Sequence, residues 1–305
     1  MRGKDWFLAL CVVVIWGVNF VVIKVGVAEI PPLMLGALRF LLVVFPAAFF
    51  VPRPKIPFRL LFLYGLTISF GQFAFLFCAI KVGMPAGLAS LVLQAQAFFT
   101  LLLCAIFMQE PLRLRHFCGM LIAALGIILI ARGGLSTQSL GHLSLLGFIL
   151  TLLAALCWAT GNMLNKIIAR EVPGSSPLGL VVWSAFLPML AFCAASVLLE
   201  GQQQIASAIL HFSWRSFFSV IYLSGASSLL GYSVWSSLMA RYETWRVAPL
   251  SLLVPVVGLI AAWLLLDEKL AWIQILGALL VMLGLMVNLF LPAVRQWMHN
   301  RRAVQ

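Results

Sequence analysis

The sequence predicts an all-α membrane protein, with ten transmembrane helices arranged as two inverted five-helix repeats. Three observations predict this. The 305 residues are 64% hydrophobic and only 9% charged, whereas soluble domains carry about 25% charged and 45–50% apolar residues. The apolar residues fall into runs close to the ~20 needed to cross a bilayer. Residue types also recur in the same order in the two halves of the chain. No soluble core of this size could bury so much apolar surface, so lipid is the expected solvent.

The segments follow in order. The first, 6–26, comes after Met1-Arg-Gly-Lys-Asp5 and begins like a signal peptide. Its apolar run is too long for an h-region and lacks a clear small-residue cleavage site, so it reads as an uncleaved helix. Pro31-Pro32 separates it from 33–51, and Pro52-Arg-Pro54 closes that segment. Segments 60–80 and 86–107 follow, then a short one at 117–131 that stops at Arg132-Gly-Gly134. The second half places 145–168, then Pro173-Gly-Ser-Ser-Pro177, then 178–199. The longest connection, about 200–215, leads to 216–239, 248–266 and 272–291. The repeats are read as 1–135 and 136–295, with a basic cytoplasmic tail at 296–305.

The net charge is +12, but the basic residues stand singly or in small groups between apolar runs. That is an orientation signal rather than a phosphate-binding face, so no nucleic-acid partner is expected. Ten crossings put both termini on one side. That side collects most of the basic residues, among them Arg2, Lys4, Arg53, Lys55, Arg113, Lys166, Arg170, Arg241, Arg246 and Arg295. The opposite loops carry only Lys24, Lys81, Arg132, Arg215 and Lys269. The positive-inside rule therefore sets both termini in the cytoplasm of a cell inner membrane.

Several chemistries find no support. The six cysteines fall inside apolar segments without a C-x-x-C pair, where free Cys acts as a small hydrophobe. His116, His142, His211 and His299 show no metal-ligand spacing. No H-E-x-x-H, G-x-S-x-G or G-x-x-x-x-G-K-[ST] occurs. No catalytic residue, cofactor or metal is expected, and the chain does not read as an enzyme. All acidic residues fall in loops, the termini or at helix ends. No buried carboxylate is therefore in view for proton coupling.

The halves match at fixed offsets. Trp16, Lys24 and Pro46 align with Trp158, Lys166 and Pro188. At a second offset Gly65, Gly71 and Lys81 align with Gly225, Gly231 and Arg241. At a third, Glu110, Gly119 and Gly126 align with Glu268, Gly277 and Gly284. An odd number of helices per half inverts the second half. Inverted repeats are a recurring design of secondary transporters, with substrate near the midplane between the halves. The expected partners are the lipid bilayer and a small-molecule substrate.

The sequence resembles the ten-helix EamA-type members of the drug/metabolite transporter superfamily. The likeness is carried by Trp16-Gly-Val-Asn19, Leu38-Arg-Phe40, Glu110-Pro-Leu112 and Asp267-Glu-Lys-Leu270, and it covers nearly the whole chain. Two longer stretches, Met84 to Phe99 and Arg241 to Gly258, are similar to bacterial exporters of cysteine-pathway metabolites within that family. The resemblance implies efflux of small amino-acid metabolites such as cysteine and O-acetylserine. A broad exporter of amphiphilic or aromatic compounds is the alternative.

Polar residues in mid-membrane mark candidate cavity positions. Trp16 and Asn19 share a face of the first segment, and Trp158, Asn162 and Asn165 share a face of the sixth. Ser90 and Gln94 stand at i, i+4, with Gln96 on another face, and Gln72 lies in the third segment. The eighth carries Tyr232 and Trp235 beside a serine stripe. Amides in hydrocarbon must find protein, water or substrate. Interhelical hydrogen bonding is the competing role. Arg39 is the one cation well inside a segment. It either snorkels to the nearby periplasmic end or meets a substrate carboxylate. Trp6, Trp214, Trp245, Trp272 and Trp297 read as interface anchors, and Trp183 and Trp263 as lying deeper. Glu110 and Glu268 read as capping acids of the helices they precede.

Overall fold

The computed structural model describes residues 1–136, 144–242 and 247–302. His142, Glu243, Trp245 and Arg246 lie outside the described residues, as do the side chains of Arg115, Arg295, Trp297, His299, Arg301 and Arg302. In chain order the helices are α1 (Gly3–Glu29), α2 (Pro32–Ala47), α3 (Phe58–Lys81), α4 (Ala86–Met108), α5 (Leu114–Ser136), α6 (Leu145–Glu171), α7 (Pro177–Glu200), α8 (Gln202–Leu210), α9 (Trp214–Met239, continuing to Arg241), α10 (Pro249–Leu266) and α11 (Trp272–Arg302). No strand occurs among the described residues. Eight helices are long and apolar enough to cross a membrane: α1, α3 to α7, α9 and α10. The apolar helix α2 and the Trp272–Asn288 part of α11 are shorter.

Local chemistry explains the helix ends. Ser144, Ser176 and Ser213 sit before α6, α7 and α9, and each accepts a first-turn N–H through its hydroxyl. Ile30 is extended before Pro31, as a residue preceding proline must be. Gln109 and Asp267 end α4 and α10 in the left-handed conformation, at φ 54° and 51°. The same device thus closes two helices at matched positions.

Four features differ from the sequence expectations. The fifth segment is not short: α5 has 23 residues, because the helix runs through Arg132-Gly-Gly instead of stopping there. The connection at 200–215 contains a helix of its own, α8. Helix α11 continues to Arg302, through most of the stretch read as a tail. Helix α2 ends at Ala47, one residue past the ring of Pro46, and a turn replaces its expected last residues. In addition, α3, α7 and α9 contain π-helical stretches, at Gly65–Gly71, Ser196–Glu200 and Tyr222–Leu230.

Packing pairs helices from the two halves. Helix α1 lies against α9 and α10, and α6 lies against α3 and α4. Helix α2 meets α7, and α5 runs antiparallel along α11. Glycines set the α5–α11 spacing. A Cβ on Gly126 would stand 2.6 Å from the Gly277 carbonyl, and one on Gly284 2.5 Å from that of Gly119. Small residues let backbones approach where lipid supplies no hydrophobic drive between helices. The outer surface is apolar, with Phe7, Phe50, Leu198, Leu210 and Trp272 exposed. So large an apolar exterior fits lipid and not water.

Candidate functional site

The polar centre of the molecule is built around Arg39 of α2. Its side chain is 1% exposed, although it stands only two turns from the start of the helix. The guanidinium does not snorkel. Its Nε and Nη2 donate to Ser228 Oγ of α9 at 3.2 and 3.0 Å, and its carbon lies 3.8 Å from the centre of the Phe73 ring of α3. The Ser228 hydroxyl can accept both bonds because its own proton goes to the Leu223 carbonyl, five residues earlier, in the π-helical stretch. Nη1 of Arg39 has no partner among the described residues.

Three further buried atoms share that condition: Oδ1 of Asn19, on α1, Oε1 of Gln72, on α3, and Oδ1 of Asn288, on α11. Asn19 is 7% exposed and Gln72 3%. One turn before Asn19, the Trp16 indole donates to the Ser227 carbonyl at 3.0 Å. Its ring packs on Tyr232 and Trp235, with centroids 5.5 and 5.2 Å apart. Trp16, Tyr232 and Trp235 therefore form one aromatic wall, and Ser228 ties the turn before Tyr232 to Arg39.

The α6 side is arranged differently. Asn162 Nδ2 donates to Gln96 Oε1 at 2.7 Å and to Thr100 Oγ1 at 3.3 Å, both on α4. Ser90 donates to the Gly87 carbonyl at 2.6 Å and lies close beneath Gly258 of α10. Between Ser90 and Gln94 the helix α4 tightens, and the Gln94 N–H bonds the Leu91 carbonyl three residues back. Trp158 and Gln94 are partly buried, and Asn165 is exposed. Gln96 was thus the partner to look for, and Thr100, four residues on, was missed. A polar residue one turn from an amide on an apolar helix was the available signal.

Acidic residues organise the helix ends. Glu268, just before α11, bonds Lys24 Nζ at 2.6 Å and accepts from the N–H groups of Ala86 and Gly87 at 2.9 and 3.0 Å. It therefore caps α4, not the helix it precedes. Glu200 holds the start of α2 through the Leu33 and Met34 N–H groups, and Glu29 accepts from the hydroxyls of Ser213 and Ser216 at the start of α9. At the other end Glu110 pairs with Lys166 and Arg170, each at 2.7 Å. The Lys166 hydrogen bond, foremost, holds the Glu110 carboxyl below the usual carboxylate range. Asp5 pairs there with Arg241 at 3.1 Å. Of the tryptophans, Trp6, Trp214 and Trp272 are exposed. Trp263 is exposed on the outer face, and Trp183 donates to the Val51 carbonyl.

The chain is similar to known transporters over nearly its full length. The EamA-like transporter family profile matches residues 5–132 and 145–290. A protein of Salmonella typhimurium named "Probable amino-acid metabolite efflux pump" is 54% identical over 97% of this chain and 98% of its own. One of the same name from Escherichia coli is 53% identical over 95% and 96%. A solved crystal structure, 21% identical, covers 95% of this chain and 98% of its own with a TM-score of 0.62, which shows the fold alone.

Proposed function

Because this chain belongs to the EamA-like transporter family, we propose that it is a secondary transporter exporting small amino-acid metabolites, cysteine and O-acetylserine among them, across the inner membrane. The observation that carries this reading is the near full-length similarity to two proteins named amino-acid metabolite efflux pumps. The reading includes ten crossings, inverted halves at 1–135 and 136–295, a basic tail at 296–305 and cytoplasmic termini. Two geometric facts support the inversion. Lys24 and Glu268 are the repeat mates of Lys166 and Glu110, and each lysine bonds the glutamate of the other half. The contacts of Gly119 with Gly284 and of Gly126 with Gly277 also exchange with one another when the halves are swapped. In an inverted pair, such joints fall on opposite faces of the membrane, where alternating access needs them.

The test is flux of labelled cysteine and O-acetylserine into inverted vesicles, with and without a proton gradient. Uptake above that of empty vesicles is expected. An aromatic dye accumulating in their place would favour the broad-exporter reading, for which the wall of Trp16, Tyr232 and Trp235 is the supporting feature. Reporter fusions after Gln305 and within 52–59 should read cytoplasmic, and those within 132–144 and 200–215 periplasmic. A periplasmic C-terminus would overturn the inversion.

A further inference from the structure

Among the described residues, Arg39 is a buried cation without a counter-ion. The ion pairs of the described residues are Lys24–Glu268, Lys166–Glu110, Arg170–Glu110 and Arg241–Asp5, and none reaches it. It is held by a serine hydroxyl and by the faces of Phe73 and Phe40. These ease its burial but do not neutralise it. A positive charge fixed in this way is incomplete until an anion joins it.

The surroundings indicate which anion. Four buried side-chain polar atoms lack a partner among the described residues, and three of them are Arg39 Nη1, Asn19 Oδ1 and Gln72 Oε1. Contacts of α1 and α2 bring Asn19 and Arg39 to one level. A Cβ on Gly26 of α1 would touch Leu35 of α2 at 2.9 Å. Asn19 is two turns from Gly26 on the same face of α1, and Arg39 is one turn from Leu35 on α2. Arg39 and Trp16, the latter one turn before Asn19, bond the adjacent residues Ser228 and Ser227 of α9, which sets Asn19 and Arg39 at similar depth. Gln72 directly precedes Phe73, whose ring covers the guanidinium. One free cationic donor and two free amide oxygens at one depth match a carboxylate and an ammonium group.

We propose that Arg39 Nη1 receives the substrate's carboxylate while Asn19 Oδ1 and Gln72 Oε1 accept from its ammonium group, an assignment that rests on the amino-acid reading above. Neutral amides suit the ammonium because a fixed carboxylate there would pair permanently with Arg39 and close the site. The substrate class is then an unblocked α-amino acid, selected by its two charged groups, with the side chain free to vary against the aromatic wall.

The experiment uses full-length protein purified in detergent under reducing conditions. Binding of cysteine, cysteine methyl ester and cysteamine is compared by thermal stabilisation. The wild type should bind cysteine at least about tenfold tighter than either analogue. Arg39→Gln should lose that preference, and Arg39→Lys should keep part of it. Should Arg39→Gln not fold, the wild-type preference and Arg39→Lys decide. Equal binding of all three ligands by the wild type overturns the proposal, as does an undiminished preference in Arg39→Gln. A second arm separates this site from the functional reading, using propionate against propionamide. If no amino acid binds but propionate alone stabilises the wild type and not Arg39→Gln, the carboxylate site stands and amino-acid export falls. If propionate and propionamide act alike on the wild type, the carboxylate site falls.

Discussion

Helices α1 and α6 occupy matched positions in the two halves, yet their polar residues end differently. Both carry a tryptophan and, two turns on, a lysine bonded to a glutamate of the other half. Between these, Asn162 of α6 is engaged by Gln96 and Thr100, whereas Oδ1 of Asn19 on α1 has no partner among the described residues. The end joints differ as well. The Glu268 side chain is 11% exposed and holds two backbone N–H groups besides Lys24, whereas Glu110 is 32% exposed and, among the described residues, bonds the basic side chains of Lys166 and Arg170. Matched sequence positions therefore specify where the halves join. Burial separates the two joints, and the surroundings decide which amide oxygen is left without a partner among the described residues.

The largest expected effect separates the two joints. Glu268→Ala strands Lys24 and opens the start of α4, and should lower unfolding stability by about 2–4 kcal/mol. Glu110→Ala, at an exposed joint, should cost under about 1 kcal/mol. Thermal unfolding in one detergent measures both, and equal losses would erase the contrast. Next come the two asparagines. Asn162→Leu leaves Gln96 and Thr100 without their donor and should cost about 1 kcal/mol, with transport per folded molecule largely kept. Asn19→Leu should cut cysteine flux about tenfold with little loss of stability. The opposite pattern would move the substrate site to α6. The third difference is pH dependence. The Glu110 carboxyl is depressed, so its contribution is fully present above its ordinary value of 4.5 and is lost as pH falls through the lowered value. Melting temperatures of wild type and Glu110→Gln should therefore converge in acid, and a gap that persists there would mean that its charge is not what stabilises the joint. The smallest effect is expected for exposed Asn165→Leu, within about 0.5 kcal/mol by the same melt.

Most of the helical layout was legible because hydropathy runs report helices directly. The exceptions have physical causes. Arg132-Gly-Gly reads as a stop, but a helix end can carry two glycines when Gly133 packs against Ile273 and Gln274. The π-helical stretches have no compositional signature, since they differ from α-helix only in which carbonyl each N–H reaches. Among the candidate positions, the burial of Asn19, Gln72, Ser90 and Arg39 and the partial burial of Trp16, Gln94, Trp158, Asn162, Tyr232 and Trp235 agree with their depth in apolar segments. Their partners could not be read that way. A long-range contact such as Arg39 with Ser228, or Glu268 with the start of α4, is set by how α2, α4 and α9 cross. The tightened turn at Leu93–Gln94, where the Gln94 N–H reaches the Leu91 carbonyl, likewise has no signature in residue type.

Helix α2 has 16 residues, which rise only about 24 Å against a hydrocarbon layer of about 30 Å. Its apolar reach is extended by Phe49 and Phe50, two exposed rings in the turn that follows. On the ten-crossing reading this is the shortest complete span, so mismatch with the bilayer concentrates here. Lipids beside α2 must thin to meet it, and acyl chain length becomes a control on the protein. A thicker membrane loads the helix that carries Arg39 before it strains the longer spans.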